Sequence, residues 1–183
     1  MQRQEALELV KQNIKKENLI KHMLAVEAIM RGIAKHLSED EEFWGLVGLL
    51  HDIDFDVTYN QPERHALVAE DILKGKVDDK IIHTIKTHNF ENTGVAPESK
   101  IENALIATDS ISGLIVACAL VMPSKKLADV RVETIKSKFK QKDFARNCPR
   151  KRILFCEKIG LTKEEFFEIS LKALQQINEE LGL

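Results

Sequence analysis

The dipeptide His51-Asp52 closes an apolar run, LVGLLHD, and sets an imidazole beside a carboxylate. One nitrogen and one oxygen donor at that spacing suit a divalent cation. The apolar lead-in places both groups in a partly dehydrated pocket, where a bare carboxylate is costly unless paired or metal-bound. His22 lies in KHMLAVEAIM, on or near the helical face of Val26, Ile29 and Ile33, and is expected to point inward. Asp109 has apolar flanks on both sides, in ALIATDSISGLIVA. A single carboxylate in such a helix needs a partner, and a cation shared with His22, His51 and Asp52 would supply one. The competing readings are a surface turn for His51-Asp52 and a hydrogen-bonded core pair for His22 and Asp109.

The elements that must hold these residues are helical nearly everywhere. Ala6, Leu7, Val10 and Ile14 keep helical spacing, as do Leu19, Met23, Val26, Ile29 and Ile33. A third helix spans Glu41 to Leu50 and leads into His51-Asp52. Asp54 to Gln61 reads as a loop, and Pro62 is placed to open a helix reaching Leu73. Asp78 to His88 forms a further short helix, followed by a polar loop over Asn89 to Pro97. Ser99 or a neighbour caps the long helix that carries Asp109. Lys125 to Phe139 and Pro149 to Ile159 are expected as two more helices. The last begins at Thr162, whose capping box with Glu165 is explicit, and runs towards Leu181. No window alternates as a strand does, so the fold class is all-α, a single-domain helical bundle over 1–183. Its metal-binding core covers about 19–117, and the basic part, 124–183, packs on it.

The other histidines differ in what their helices allow. Ile81, Ile85 and His88 share one stripe, whereas His83 faces the opposite side, so His88 is expected to turn inward. His36 follows His22 by 14 residues on one helix, about 21 Å along the axis, too far to share its metal. Between Ser124 and Arg152, 11 Lys or Arg residues face three acidic ones, a local charge of +8 that leaves −10 on the rest. Such asymmetry can steer an anion towards a metal. Arg146 and Arg150 flank a Cys-Pro turn, where a guanidinium could fork onto a phosphate as a substrate-binding group. A solvated helical hairpin is the plainer reading of that segment.

Composition bounds the rest. Apolar residues at 44% and charged residues at 31% describe a globular chain of net charge −2, which argues neither for nor against nucleic acid. Aromatic residues are few in the basic segment, so no base-stacking platform is indicated and nucleic acid is not an expected partner. Cys118, Cys148 and Cys156 form no CxxC pair, and the N-terminus has no apolar leader, which points to reduced thiols in the cytoplasm. The apolar stretch from Ala104 to Met122 contains Asp109 and reads as a buried helix, so no membrane is expected. No glycine-rich phosphate loop is present. Composition and pattern leave the oligomeric state open.

The order His22, then His51-Asp52, then Asp109 resembles the HD superfamily of metal-dependent phosphohydrolases, over about Leu19 to Ala117. The resemblance implies a helical bundle of the HD-domain/phosphodiesterase-like type in which these four residues hold a first ion. In its two-metal members, histidines lie between the HD pair and the final Asp. His65, in ERHALVAEDIL, and His88, in IIHTIKTHNF, would then hold a second ion, with Asp52 as the bridge. The implied chemistry is displacement at phosphorus by metal-activated water on a small phosphorylated metabolite, most plausibly a nucleotide. Mn, Fe, Co, Mg, Zn or Ni would serve, as one ion or two. In some members an acidic residue soon after the pair assists catalysis, which makes Asp54 a catalytic candidate beside Asp52. Asp54 and Asp56 could equally orient ligands from behind. THNFENTGV departs from the GYP signature of cyclic-di-GMP phosphodiesterases, and the adjacent Glu-Asp pair of (p)ppGpp hydrolases has no counterpart. Two alternatives stand beside hydrolysis: an HD-fold di-iron oxygenase, which uses the same six ligands, and a non-catalytic module that senses a nucleotide or metal.

Overall fold

The computed structural model describes all 183 residues, and it is helical without strands. In chain order the α-helices are α1 (Arg3–Asn13), α2 (Glu17–Leu37), α3 (Glu41–Leu50), α4 (Phe55–Thr58), α5 (Leu67–Leu73) and α6 (Asp79–His88). They continue with α7 (Phe90–Thr93), α8 (Lys100–Leu120), α9 (Val132–Lys140), α10 (Arg150–Ile153), α11 (Lys163–Gln176) and α12 (Asn178–Leu181). Helix α8 is the axis of the bundle, with α2, α6, α9, α10 and α11 packed around it. One hydrophobic core takes Met23, Val26 and Ile29 from α2, Leu105, Ile111 and Leu114 from α8, and Phe166, Phe167 and Leu174 from α11. By length and composition α8 could cross a membrane, yet 72% of its apolar window is buried inside the fold.

Capping chemistry fixes the helix starts. The Asp40 carboxylate accepts the N–H groups of Glu42 and Phe43, and Asp78 accepts that of Lys80, so α3 and α6 begin as the sequence implies. Ser99 with Glu102 and Thr162 with Glu165 form reciprocal capping boxes for α8 and α11. Elsewhere expected helices are shorter. The helix drawn from Pro62 to Leu73 starts at Leu67, because Ala66 adopts a left-handed φ of 69° and turns the chain. Within the loops expected over Asp54–Gln61 and Asn89–Pro97, Phe55–Thr58 and Phe90–Thr93 each wind a single turn. Lys125–Phe139 splits into a 3-10 turn at Leu127–Asp129 and α9, while Pro149–Ile159 tightens from α10 into a 3-10 helix over Leu154–Ile159. The last helix pauses at Ile177, between α11 and α12.

Two devices bring α2 and α3 together and so aim the His51-Asp52 corner at His22. Glu27 is buried on α2 and receives Nε of Arg3 at 2.6 Å, which ties α1 to α2, and Nε of Arg31 at 3.0 Å, whose Nη1 donates to Glu42 of α3 at 2.7 Å. Gly48, one turn before His51, lies so close to α2 that a Cβ there would meet Glu27 Cα at 2.9 Å and Glu27 N at 3.0 Å. Those are backbone atoms and cannot swing aside. Gly48→Ala is therefore expected to lower stability by about 1–3 kcal/mol, measured by denaturant unfolding, and to weaken metal retention with it.

Candidate metal centre

His51 and His88 share one positional logic. Each ends its helix, where carbonyls of the last turn have no partner within the helix. His51 Nδ1–H donates to Gly48 O at 2.8 Å, and His88 Nδ1–H donates to Ile85 O. Both rings are thereby fixed with Nε2 facing the interior. His22 Nδ1–H donates to Ser112 Oγ at 3.3 Å, and that hydroxyl donates in turn to Asp109 O at 2.8 Å. His65 Nδ1–H donates to Asp54 Oδ1 at 2.9 Å. All four imidazoles are held from behind and present Nε2 to one another, the arrangement in which an outer partner sets the tautomer of a metal ligand.

The carboxylates complete two triads with a common corner. Asp52 Oδ1 lies 3.4 Å from His51 Nε2, 3.2 Å from His65 Nε2 and 3.5 Å from His88 Nε2, while its Oδ2 is 3.6 Å from His22 Nε2. The donor atoms of His22, His51 and Asp52 lie within 4.8 Å of one another, and so do those of Asp52, His65 and His88. Asp109 Oδ1 joins the first group, 3.3 Å from His22 Nε2 and 3.9 Å from His51 Nε2. All six residues named from the sequence thus surround one point, although they arise from five separate stretches of chain. His83 faces away towards Glu102, at 3.3 Å, and His36 is exposed.

A buried, orphaned atom tests whether a cation fits. His51 is fully buried; its Nδ1 carries the proton given to Gly48, and its Nε2 has no hydrogen-bond partner. Burial keeps this ring neutral, with its pKa pushed down to about 4, so Nε2 presents a lone pair to the oxygens of Asp52 and Asp109. Lone pairs facing lone pairs in a dehydrated pocket are unfavourable, and a divalent cation among them reverses the sign. The donor set fits a metal. Burial alone would raise the Asp109 carboxyl, but the bond to His22 and the nearby imidazoles outweigh it and lower it to about 2. Asp52 is held below the usual carboxylate range in the same way, by His51, His65, His88 and His22.

His65 lies between two carboxylates, Asp52 and Asp54. Burial works against its charge, but the hydrogen bonds and charges of Asp52 and Asp54 prevail and hold it up at about 10. Its second proton therefore lies at Nε2, 2.9 Å from His88 Nε2 and 3.2 Å from Asp52 Oδ1. A cation bound there must displace that proton. Because the protonated ring dominates below about 10, metal affinity at this triad is expected to fall roughly tenfold per unit as the pH is lowered. Calorimetry in buffers of different ionisation enthalpy should show at least one proton released per chain on metal uptake at neutral pH.

The structure revises the other sequence-derived roles. Asp54 does not line the cavity; both its oxygens are engaged, Oδ1 by His65 and Oδ2 by the N–H groups of Ala66 at 2.8 Å and Ala69 at 3.1 Å. It is a positioning residue rather than a catalytic one. Asp56 is further removed, accepting Lys15 N at 2.7 Å. Arg146 and Arg150 are not at the cavity expected to hold substrate. Arg146 is solvent-exposed beside Asp143, and Arg150 spends its guanidinium on the backbone carbonyls of Lys138, Phe139, Gln141, Phe144, Ala145 and Cys148. The cationic side chain at the cavity is instead Arg152, which sequence reasoning passed over within a run of basic residues. Ser112 was also missed, though it was legible as the residue three after Asp109, on the same helical face.

Beside this cluster opens a cavity of about 300 Å³, whose lining includes Phe55, Asn89, Asn147, Pro149 and Arg152. The family model described as HD domain matches residues 19–112, which contain His22, His51, Asp52, His65, His88 and Asp109. The chain belongs to the HD domain family. HD domains bind divalent metals, and the family consists mostly of metal-dependent hydrolases. The HD domain match ends inside α8, so α9 to α12, and the cavity-lining Asn147, Cys148, Pro149 and Arg152, lie outside it. No curated protein and no solved structure matches this HD domain chain.

Proposed function

We propose that this HD domain is a cytoplasmic metal-dependent phosphohydrolase acting on a small phosphorylated metabolite, most plausibly a nucleotide. The observation that carries the reading is the neutral, buried His51 whose unpartnered Nε2 faces the carboxylates of Asp52 and Asp109 at the floor of an open cavity. His22, His51, Asp52 and Asp109 would hold a first ion, and Asp52, His65 and His88 a second. Divalent ions in such a site supply charge stabilisation at a phosphoryl group and a water acidic enough to attack it at neutral pH.

What the chain itself contributes is preorganisation. The Nδ1–H bonds to Gly48 O, Ile85 O, Asp54 and Ser112 fix each ring before any ligand arrives, so little reorganisation remains. Asp52 and Asp109 stay ionised through the physiological range and act as anionic ligands, not proton donors. Phe55, edge-on to His65 with ring centres 5.5 Å apart, shields that ring on the cavity side. The cavity volume suits a small ester rather than a polymer.

The test is to load the protein with Mn²⁺, Co²⁺, Fe²⁺ or Mg²⁺, determine metal stoichiometry, and screen nucleotides and simple phosphate esters for orthophosphate release. Release that a chelator abolishes supports the reading; full metal occupancy with no release from any ester overturns it. Four imidazoles among six ligands also favour a second reading, since nitrogen-rich sites suit iron. A di-iron oxygenase would show oxygen consumption and a mixed-valent signal after anaerobic loading with Fe²⁺.

A further inference from the structure

The cavity is lined by two carboxylates, Asp52 and Asp109, by three histidines, His22, His65 and His88, and, among lysines and arginines, by a single cation: Arg152. Its side chain is mostly buried and reaches from α10 across to the end of α6. Nη1 is bonded to the Glu91 carboxylate, at 3.1 Å from Oε2, and Nη2 donates to the His88 carbonyl. On its inner side, Nη2 stands 3.9 Å from Asp109 Oδ2, too far for a hydrogen bond. Nε is buried and has no partner at all. A guanidinium with an unused donor, one carboxylate away from a metal centre, is not exhausted by a structural role. Its neighbours sharpen the contrast, since Arg150 is consumed by backbone carbonyls and Lys151 is exposed.

Resting on the phosphohydrolase reading above, we infer that Arg152 is the anion-binding residue of this centre, receiving the non-bridging oxygens of a phosphoryl group held over the metal ligands. The planar fork and fixed charge suit a tetrahedral oxyanion better than a lysine would. Neutralisation of Asp52 and Asp109 by bound cations removes the acidic counterweight from the cavity, and Arg152 then tips the site towards anions. Glu91 is its carboxylate partner and would compete with an incoming phosphate, so it acts as a latch. Because Arg152 lies beyond residues 19–112, this assignment concerns the part of the chain that the HD domain match does not cover.

Orthophosphate binding to the Mn²⁺-loaded protein, measured by calorimetry, tests the inference without requiring turnover. Arg152→Gln is expected to weaken orthophosphate roughly ten- to a hundredfold, as loss of a charge-assisted pair does, with metal content unchanged. Arg152→Lys should recover part of that loss. Glu91→Gln, which frees the guanidinium, should tighten orthophosphate severalfold, and it keeps the test decisive if Arg152→Gln folds poorly. Equal orthophosphate affinity in wild type and Arg152→Gln overturns the inference. So does a fall in metal content that accounts for the whole loss, which would make Arg152 a strut for His88, or unchanged affinity in Glu91→Gln. Arg152-dependent orthophosphate binding without hydrolysis of any ester supports the inference while overturning the hydrolase reading; hydrolysis indifferent to Arg152 does the reverse.

Discussion

Asp52→Ala is expected to bind no divalent ion at either triad and to reduce phosphate release to background. Asp52 is the one residue whose two oxygens reach all four imidazoles, at 3.2–3.6 Å. Removing it deletes a carboxylate common to both triads and leaves His65 with Asp54 as its one carboxylate partner. The loss should exceed the roughly 10–100-fold that follows from disturbing an outer partner alone. Asp52→Asn keeps the shape but not the charge and serves as the folding control. Metal analysis of protein purified without chelator, alongside activity and thermal unfolding, checks the result. Ordinary metal content in a folded Asp52→Ala would remove the basis of the centre.

Asp54→Ala should fail in a different way. Its carboxylate holds His65 Nδ1 and also accepts the N–H groups of Ala66 and Ala69, which start α5 where Ala66 turns left-handed. Both amide donors are buried with it, and each orphaned donor costs about 1–3 kcal/mol. The variant is therefore expected to lose stability as well as metal. Asp54→Asn retains an acceptor, so it should fold and yet weaken the ion held by His65 and His88 roughly 10–100-fold. The first triad should be nearly unaffected, because His22, His51 and Asp109 do not touch Asp54. Metal titration resolving two classes of site separates the outcomes, and loss of both classes in Asp54→Asn would refute this division.

Most of the convergent cluster could be read in the chain because helix ends announce themselves. His51 and His88 follow apolar stripes to the last turn of α3 and α6, and the inward stripe already separated His88 from His83. Asp109 stood out as one carboxylate in a long apolar helix, and His22 as a polar residue on an apolar face. The route of His65 into the centre was not readable in the same terms. It depends on Ala66 leaving the helical region, which no local propensity favours and which the distant Asp54 carboxylate secures. The basic segment misled for a related reason. Arg146, Arg150 and Arg152 carry the same chemistry in the sequence, and tertiary routing sends one to solvent, one to backbone and one to the cavity. The fold class followed from periodicity; the break at Ala66 is set by Asp54, twelve residues away in the chain, to which a local sequence window is blind.

Arg150 gives the stretch before it an unusual freedom. Six peptide oxygens between Lys138 and Cys148 converge on that guanidinium, and every amino acid carries the same peptide oxygen. The segment is thus moulded around a neighbour's charge at its backbone, while Phe139, Phe144, Ala145 and Cys148 pack against the core. Substitutions at the exposed Lys140, Gln141, Lys142 and Asp143 can accumulate with little effect on shape, while position 150 has no comparable latitude. The wall that carries Arg152 can in this way diverge in surface character and still deliver its cation to the same place.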